Sequence, residues 1–184
     1  MNKIKIAILG LGVVGSHVVK LLEKNSYILD YSKFEIVAIG AKNKKKKRII
    51  NISKYKWVSD FKSLNQFNTD LIIETIGGTG KYINDLYKFC IKNEISLITA
   101  NKAQLAEKSD SFFEDFDKSN LFLGFEAAVL GAVPVIRTIE HSIHPSKINS
   151  IYGIFNGTTN YIISKMYENK ISFKETLEQA IENG

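Results

Sequence analysis

Short apolar runs that close in glycine or another small residue alternate along this chain with longer segments whose apolar residues recur every three or four positions. Runs of the first kind predict strands, and segments of the second kind predict helices. Strands are predicted at residues 4–10, 34–40, 69–78, 96–100 and 121–127. Because these runs are apolar at successive positions, they are typical of strands buried on both faces of a parallel sheet. The pattern therefore predicts an α/β fold with a Rossmann-type, doubly wound and mainly parallel sheet.

The regular alternation changes near residue 128, which predicts a domain boundary there. Up to that point helices are predicted at residues 11–25, 81–93 and 109–120, the last opened by a serine or aspartate cap. Beyond it the pattern predicts helices at 131–143, 157–168 and 172–184 and a strand at 147–155. Ser172 lies three residues before Glu175, the spacing of a capping box. We expect a nucleotide-binding domain over 1–128 and the beginning of a second, α+β region over 129–184.

Bulk composition excludes several classes of protein. The chain has 184 residues, of which 45% are hydrophobic, enough to bury a substantial core. No apolar run approaches the roughly 20 residues that span a bilayer, and Met1 leads directly into a predicted strand instead of a secretory signal. We therefore expect a cytoplasmic protein without a membrane partner. The single cysteine, Cys90, falls in the apolar phase of a predicted helix, which predicts a buried thiol.

The net charge of +6 is concentrated in one segment. Six cations lie there, namely Lys42, Lys44, Lys45, Lys46, Lys47 and Arg48. Such a run can be a solvated loop or a phosphate-binding element. Nucleic-acid binding is disfavoured, because no basic patch interleaved with aromatic residues occurs elsewhere.

The sequence "GLGVVG" places Gly10, Gly12 and Gly15 at the spacing of the dinucleotide-binding fingerprint. Gly10 permits the tight turn, Gly12 lets backbone amides approach a pyrophosphate, and Gly15 allows close helix packing. The motif follows the first predicted strand and opens a predicted helix, which is the context that supports this interpretation. We therefore predict a nicotinamide dinucleotide site.

The end of the second predicted strand indicates which nucleotide is bound. An acidic residue at this point normally accepts hydrogen bonds from the 2′-hydroxyl of NAD(H). This chain has Lys42 and then the basic run through Arg48, whose cations can pair with a 2′-phosphate. The sequence therefore predicts a preference for NADP(H) over NAD(H).

Two polar residues at strand ends leave their roles open. Lys102 follows a predicted strand in "LITANKAQLAE" and is either a solvated surface charge or a residue of the ligand crevice, which lies at the carboxyl ends of the strands. Glu74 ends the third strand in "IIETIGG", where Gly77 and Gly78 leave room for a flat ligand. Its carboxylate can contact that ligand, cap a turn or meet solvent.

Two further segments raise similar alternatives. Glu126 is the one carboxylate in the small, apolar stretch "GFEAAVLGAVP", where it either caps backbone amides or joins freed carbonyls in holding a hard cation. In "FNGTTNY", Asn156 or a threonine can cap a helix, and the remaining hydroxyls are available to a polar ligand.

Taken in order, these motifs resemble the homoserine dehydrogenase family over residues 4–184. The resemblance rests on "GLGVVGSHVVKLL", "KNKKKKR", "ETIGG", "TANKAQLA", "FEAAVLGAVPVIRTI" and "GIFNGTTNYIISKM". It implies NADPH-dependent reduction of L-aspartate 4-semialdehyde to L-homoserine, a step in threonine and methionine biosynthesis. The substrate would be a small molecule, and the complete enzyme would be a homodimer.

The resemblance also implies roles for individual positions. Lys102 would be catalytic and would contact the cofactor. Further cofactor contacts would come from Gly10, Leu11, Gly12, Val13, Val14, Gly15, Lys42, Arg48, Ile76 and Gly77. A monovalent cation such as sodium would be held by Glu126, Val129, Gly131 and Val133. Gly157 and Thr158 would lie at the substrate pocket.

Two departures from the family pattern affect the expected activity. Lys42 and Asn43 stand where the family usually has an arginine and an aspartate, which keeps a cation, removes an acid and again favours NADP(H). The family also continues beyond the position of Gly184 into an acidic segment with a second catalytic lysine. We therefore expect this chain to be inactive by itself. The alternative is a non-catalytic NADP(H)-binding sensor or regulatory protein.

Overall fold

Six strands form one sheet in the computed structural model, which describes residues 3–24, 33–131, 133–143 and 147–183. They are β1 (Ile4–Leu9), β2 (Phe34–Gly40), β3 (Trp57–Val58), β4 (Leu71–Glu74), β5 (Ser96–Thr99) and β6 (Leu123–Gly124). All neighbouring strands pair in parallel, in the order β3-β2-β1-β4-β5-β6. The order reverses between β1 and β4, which creates the crevice in which such sheets bind dinucleotides. The predicted Rossmann-type fold is confirmed.

Helices cover both faces of this sheet. They are α1 (Val13–Glu23), α2 (Lys81–Lys92) and α3 (Lys102–Lys118). On one face Val19 of α1 packs with Ile6 and Ile8 of β1, and on the other Leu86 of α2 and Phe116 of α3 belong to a second buried cluster. Because alternate residues of β1 enter the two clusters, the strand is buried on both faces, as its continuous apolar run predicts.

Cys90 is fully buried in the second cluster, as its place in the helical pattern predicts. Burial raises the pKa of its thiol to about 12. Ile83, Leu86 and Tyr87 of α2 are buried on the same helix face.

Four elements differ from the sequence-based predictions. The helix predicted from residue 109 begins at Lys102, because Asn101 and not a later serine or aspartate caps it by accepting a hydrogen bond from the Gln104 amide. Strand β3 was not predicted, since two residues are too few to show a period. The helical turns at Ile52–Lys54 and Phe61–Phe67 were also missed, and both are 3-10 turns with side-chain caps.

The chain divides into two compact units, Met1–Ala128 and Val129–Gly184. The division falls where the sequence places its boundary, and the functions assigned to the two parts stay predictions. The described part of the second unit contains α4 (Val135–Thr138), a π-helical turn (Ile139–Ile143), α5 (Gly157–Asn169) and α6 (Phe173–Asn183). Ser172 Oγ accepts a hydrogen bond from the Glu175 amide at 3.2 Å, which confirms the predicted cap of α6.

Two predictions for the second unit need correction. The helix predicted over 131–143 is observed over residues 135–143 and only its start is wrong, because a proline disfavours helical backbone at the residue before it. Its last turn, Ile139–Ile143, is π-helical, and Ala132 lies outside the described residues. The strand predicted at 147–155 does not form, and its residues are exposed. A strand requires a partner for its backbone hydrogen bonds, and no strand pairs with this segment in the described structure. None of the described helices is long and apolar enough to span a membrane.

Candidate functional site

The glycine turn after β1 is fixed by the neighbouring end of β4. Gly10 has φ +94°, a conformation that favours glycine, and a Cβ atom at this position would lie 2.5 Å from the carbonyl of Thr75. Thr75 Oγ1 in turn donates a hydrogen bond of 2.5 Å to the Gly10 carbonyl oxygen. A Cβ atom at Gly15 would overlap that same carbonyl oxygen. Gly10 and Gly15 are therefore required for the turn and for close packing of α1, as the sequence predicts.

Gly12 differs from these two glycines because it faces open space. No atom lies within 4 Å of the position a Cβ would occupy there. Gly12 starts α1 without a side-chain cap, and the first turn carries no acidic residue. Val13 and Val14 at this helix start are exposed, whereas Leu11 is buried. Uncapped amides at the amino end of an 11-residue helix suit a negatively charged group, so the residues present fit a pyrophosphate.

A cavity of about 550 Å³ adjoins this turn. The ends of four strands and one residue of α2 line it, including the predicted residues Gly10, Gly12, Lys42 and Ile76. Ser59, Asp60 and Tyr82 also line it and were not predicted. Burial raises the pKa of the Tyr82 hydroxyl, and the nearby Asp60 carboxylate raises it further. Ser59 and Asp60 follow the two-residue strand β3, which left no periodic signal in the sequence.

Arg48 stabilises the conformation of the basic loop, because its half-buried guanidinium binds backbone carbonyl groups. It donates hydrogen bonds to the carbonyl oxygens of Leu11 (3.1 Å), Asn43 (2.5 Å), Lys44 (3.3 Å) and Lys46 (2.7 Å). The guanidinium also lies over the Trp57 ring, 5.4 Å from its centroid. Arg48 thus ties the basic loop to the glycine turn, while Lys42 and the lysines at 44–47 are exposed.

On the other side of the glycine turn, Glu74 ends β4 as a fully buried carboxylate. Its Oε1 accepts hydrogen bonds from the backbone amides of Ile76 (2.6 Å) and Gly77 (3.1 Å). Its Oε2 accepts one from Thr99 Oγ1 at 2.6 Å. Of the three alternatives that the sequence left open, the turn cap is therefore the one observed.

Lys102 is the first residue of α3, and its side chain is exposed. Asn101 precedes it as the helix cap and donates a hydrogen bond from Nδ2 to the Gly78 carbonyl oxygen at 2.8 Å. The helix dipole opposes a cation at the amino end of a helix, so Lys102 contributes little to the stability of α3. Its position at the carboxyl end of β5 favours the ligand hypothesis, and its catalytic role stays a prediction.

In the second unit, Asn156 caps α5 by accepting a hydrogen bond from the Thr159 amide at 2.9 Å. The structural alternative for this segment is thus confirmed for Asn156. Gly157 and Thr158 form the exposed first turn of α5. No atom lies within 4 Å of a Cβ position at Gly157, and the substrate role of both residues stays a prediction.

The predicted cation ligands are divided between the two units. Glu126 is half-buried in a 3-10 turn, Glu126–Ala128, at the end of the first unit. Val129, Gly131 and Val133 belong to the second unit, where Gly131 has φ +59°. Within the described ranges, no group of three or more His, Cys, Asp or Glu side chains could hold a metal ion. A site built mainly from carbonyl oxygens does not require such a group, so the sodium site stays a prediction.

Comparison with known proteins decides the family. Residues 10–122 match the family model "Homoserine dehydrogenase, NAD binding domain", and residues 134–184 match the model "Homoserine dehydrogenase". The chain belongs to the homoserine dehydrogenase family. Homoserine dehydrogenases are NAD(P)-dependent oxidoreductases, which agrees with the glycine turn and the cavity beside it.

Individual homoserine dehydrogenases are similar over nearly the whole chain. The enzyme of Neisseria gonorrhoeae is 33% identical over 98% of this chain. A solved structure from Thiobacillus denitrificans has a TM-score of 0.87 at 28% identity, and one from S. aureus has 0.74 at 36% identity; each covers 100% of this chain. The chain spans 42% of the length of the Neisseria relative and 43% and 44% of the two solved chains.

Proposed function

We propose that this chain binds NADP(H) and contributes that cofactor site to the reduction of L-aspartate 4-semialdehyde to L-homoserine. The observation that carries the proposal is the open Gly12 turn beside a cavity that is lined by Lys42, the residue at which the basic loop begins. No acidic residue stands at the end of β2 to accept a ribose hydroxyl, and the exposed lysines supply charge for a 2′-phosphate.

Bound NADPH would supply the hydride, and Lys102 would act on the substrate oxygen. Its ammonium, at the carboxyl end of β5, would stabilise the negative charge that develops on that oxygen as the aldehyde carbon is reduced. Direct proton donation is the secondary role that we assign to it. Gly157 and Thr158 would bind the substrate, and Glu126 with the carbonyls of Val129, Gly131 and Val133 would hold a monovalent cation.

Several features of the complete enzyme belong to the same proposal. We propose a cytoplasmic homodimer in which further acidic residues and a second lysine complete the substrate site. The 184 residues by themselves would bind cofactor without turnover. A non-catalytic NADP(H) sensor is the alternative, and the same cofactor site supports it.

Titration with NADPH and with NADH, followed by an assay for semialdehyde-dependent NADPH oxidation, tests the proposal. We expect NADPH to bind about tenfold more tightly than NADH, since a charge-assisted contact to the 2′-phosphate is added. Lys42→Ala should reduce that preference. Lys118 is an exposed lysine at the end of α3, so Lys118→Ala serves as the control and should leave the preference unchanged. Equal affinity for both nucleotides would refute the NADP(H) preference, and binding of neither would refute the cofactor site.

A further inference from the structure

We propose that Glu74 is a positioning residue that holds the Ile76–Gly77 backbone and the Asn101–Lys102 turn in one arrangement, so that the nicotinamide half of the cofactor meets Lys102. This inference rests on the proposed function. It concerns the half of the crevice beyond the glycine turn, at the carboxyl ends of β4 and β5. The adenosine half of a dinucleotide lies on the side of β2.

The loop after β4 depends on this carboxylate for its conformation. Gly77 and Gly78 both have φ +76°, and no atom lies within 4 Å of a Cβ position at either residue. Side-chain packing therefore does not fix this part of the loop. The hydrogen bonds from the Ile76 and Gly77 amides to Glu74 Oε1 supply the constraint instead.

The second carboxylate oxygen connects to the turn before α3. Thr99 Oγ1 donates to Glu74 Oε2 and accepts hydrogen bonds from the Asn101 amide and the Tyr87 hydroxyl, both at 3.0 Å. Asn101 also donates from Nδ2 to Gly78, so the loop and the turn are joined twice. Lys102 follows Asn101 directly.

The described hydrogen bonds satisfy both oxygens of the buried Glu74 side chain. Backbone amides can only donate, so Oε1 acts as an acceptor, and the one hydroxyl hydrogen of Thr99 is directed at Oε2. No ion pair found among the described residues includes Glu74. Burying a carboxyl group is costly unless its oxygens have hydrogen-bond partners, and here three groups supply them. The network therefore accounts for the complete burial of the Glu74 side chain.

Glutamine fits this network less well than Glu74. Its Nε2 would donate to Thr99 Oγ1, whose own hydrogen would then turn to the Tyr87 hydroxyl, so that the Tyr87 hydrogen and one Nε2 hydrogen lose their acceptors among the described contacts. Glu74→Gln therefore leaves buried donors unpaired beside the link to the Lys102 turn. Tyr87→Phe removes one buried hydrogen bond of the same network but leaves the Glu74–Thr99–Asn101 link intact, which makes it the matched control.

The test compares two ligands on the 184-residue chain. NADPH contains the nicotinamide half, whereas adenosine 2′,5′-bisphosphate contains only the adenosine half. We expect Glu74→Gln to weaken NADPH binding about tenfold, the scale of a buried polar group left unpaired, and to change bisphosphate binding by less than about twofold. The change in nicotinamide fluorescence on binding should also be smaller in Glu74→Gln than in the unaltered chain. Tyr87→Phe should leave both affinities near those of the unaltered chain.

A second pair of variants keeps the test valid if Glu74→Gln does not fold. Thr99→Val keeps the shape of the side chain and removes the link, so it should weaken NADPH selectively. Thr99→Ser keeps the hydroxyl and should bind NADPH normally. Two results would refute the positioning role of Glu74, provided that the unaltered chain binds NADPH. Either Glu74→Gln and Thr99→Val keep their affinity for both ligands, or they lose affinity for both ligands equally. If the unaltered chain binds neither ligand, the proposed function fails and this inference fails with it.

Discussion

Three glycines of one motif have different physical tasks. A Cβ atom at Gly15 would overlap the Gly10 carbonyl oxygen, whereas one at Gly12 would meet nothing within 4 Å. Gly12 also has φ −76°, which alanine adopts without strain. The spacing in the sequence does not distinguish a glycine needed for folding from one needed for ligand approach. The atoms around each Cβ position distinguish these two kinds of glycine.

This difference predicts opposite outcomes for two substitutions. Gly15→Ala should lower the free energy of unfolding by about 2 kcal/mol or more, because the backbone carbonyl it meets cannot move freely. Gly12→Ala should unfold like the unaltered chain in urea but bind NADPH about tenfold more weakly, since its methyl group occupies the approach of the pyrophosphate. Normal NADPH binding by Gly12→Ala would contradict the predicted position of the pyrophosphate.

The thiol of Cys90 should be unreactive in the folded protein. Burial raises the pKa of its thiol to about 12, so almost no reactive thiolate is present at pH 8. A thiol reagent such as dithionitrobenzoate should react with it slowly in buffer and completely in urea. Rapid labelling without denaturant would show that α2 opens readily.

At the scale of elements, the basic loop is shaped by a residue that contributes to its charge. Arg48 places four donated hydrogen bonds on carbonyl oxygens, one of them that of Leu11 in the glycine turn. The family resemblance implies a cofactor contact for this guanidinium, and the observed hydrogen bonds give it a structural role as well. The loop and the turn should therefore respond together when Arg48 is changed.

Arg48→Gln should weaken NADH binding as well as NADPH binding, each by about fivefold to tenfold. A residue that only contacted the 2′-phosphate would affect NADPH alone. Lys45→Gln removes the same charge from the same loop without touching the glycine turn, so it serves as the control. Unchanged NADH affinity in Arg48→Gln, measured by fluorescence titration, would contradict the structural role.

The start of α3 shows why some element boundaries escaped prediction. Asn101 becomes the cap because β5 ends at Thr99 and because its side chain also reaches Gly78, which is distant in sequence. Periodicity within one segment contains no information about that contact. The same applies to β3, whose two residues are strand only through pairing with β2.

At the scale of the whole molecule, the second unit exposes apolar residues that a folded monomer usually covers. Ile151 and Phe155 are about half exposed, and Tyr152 is 90% exposed. We predict concentration-dependent association by light scattering, because contiguous exposed apolar surface promotes it. Ile151→Ser combined with Tyr152→Ser should reduce association without changing NADPH affinity. A monodisperse monomer at all concentrations would contradict this prediction.

The sequence by itself determined five of the six strands and the three α-helices of the first unit, the glycine turn and the location of the net charge. Each of these depends on local periodicity, residue size or formal charge, which can be read without knowing what lies nearby. The tertiary structure decided that Glu74 is a buried cap, that Arg48 binds backbone carbonyls of its own loop and that α3 begins at Lys102 with Asn101 as its cap. These outcomes depend on hydrogen bonds between segments far apart in the chain, and such partners are set only when the sheet brings the strand ends together.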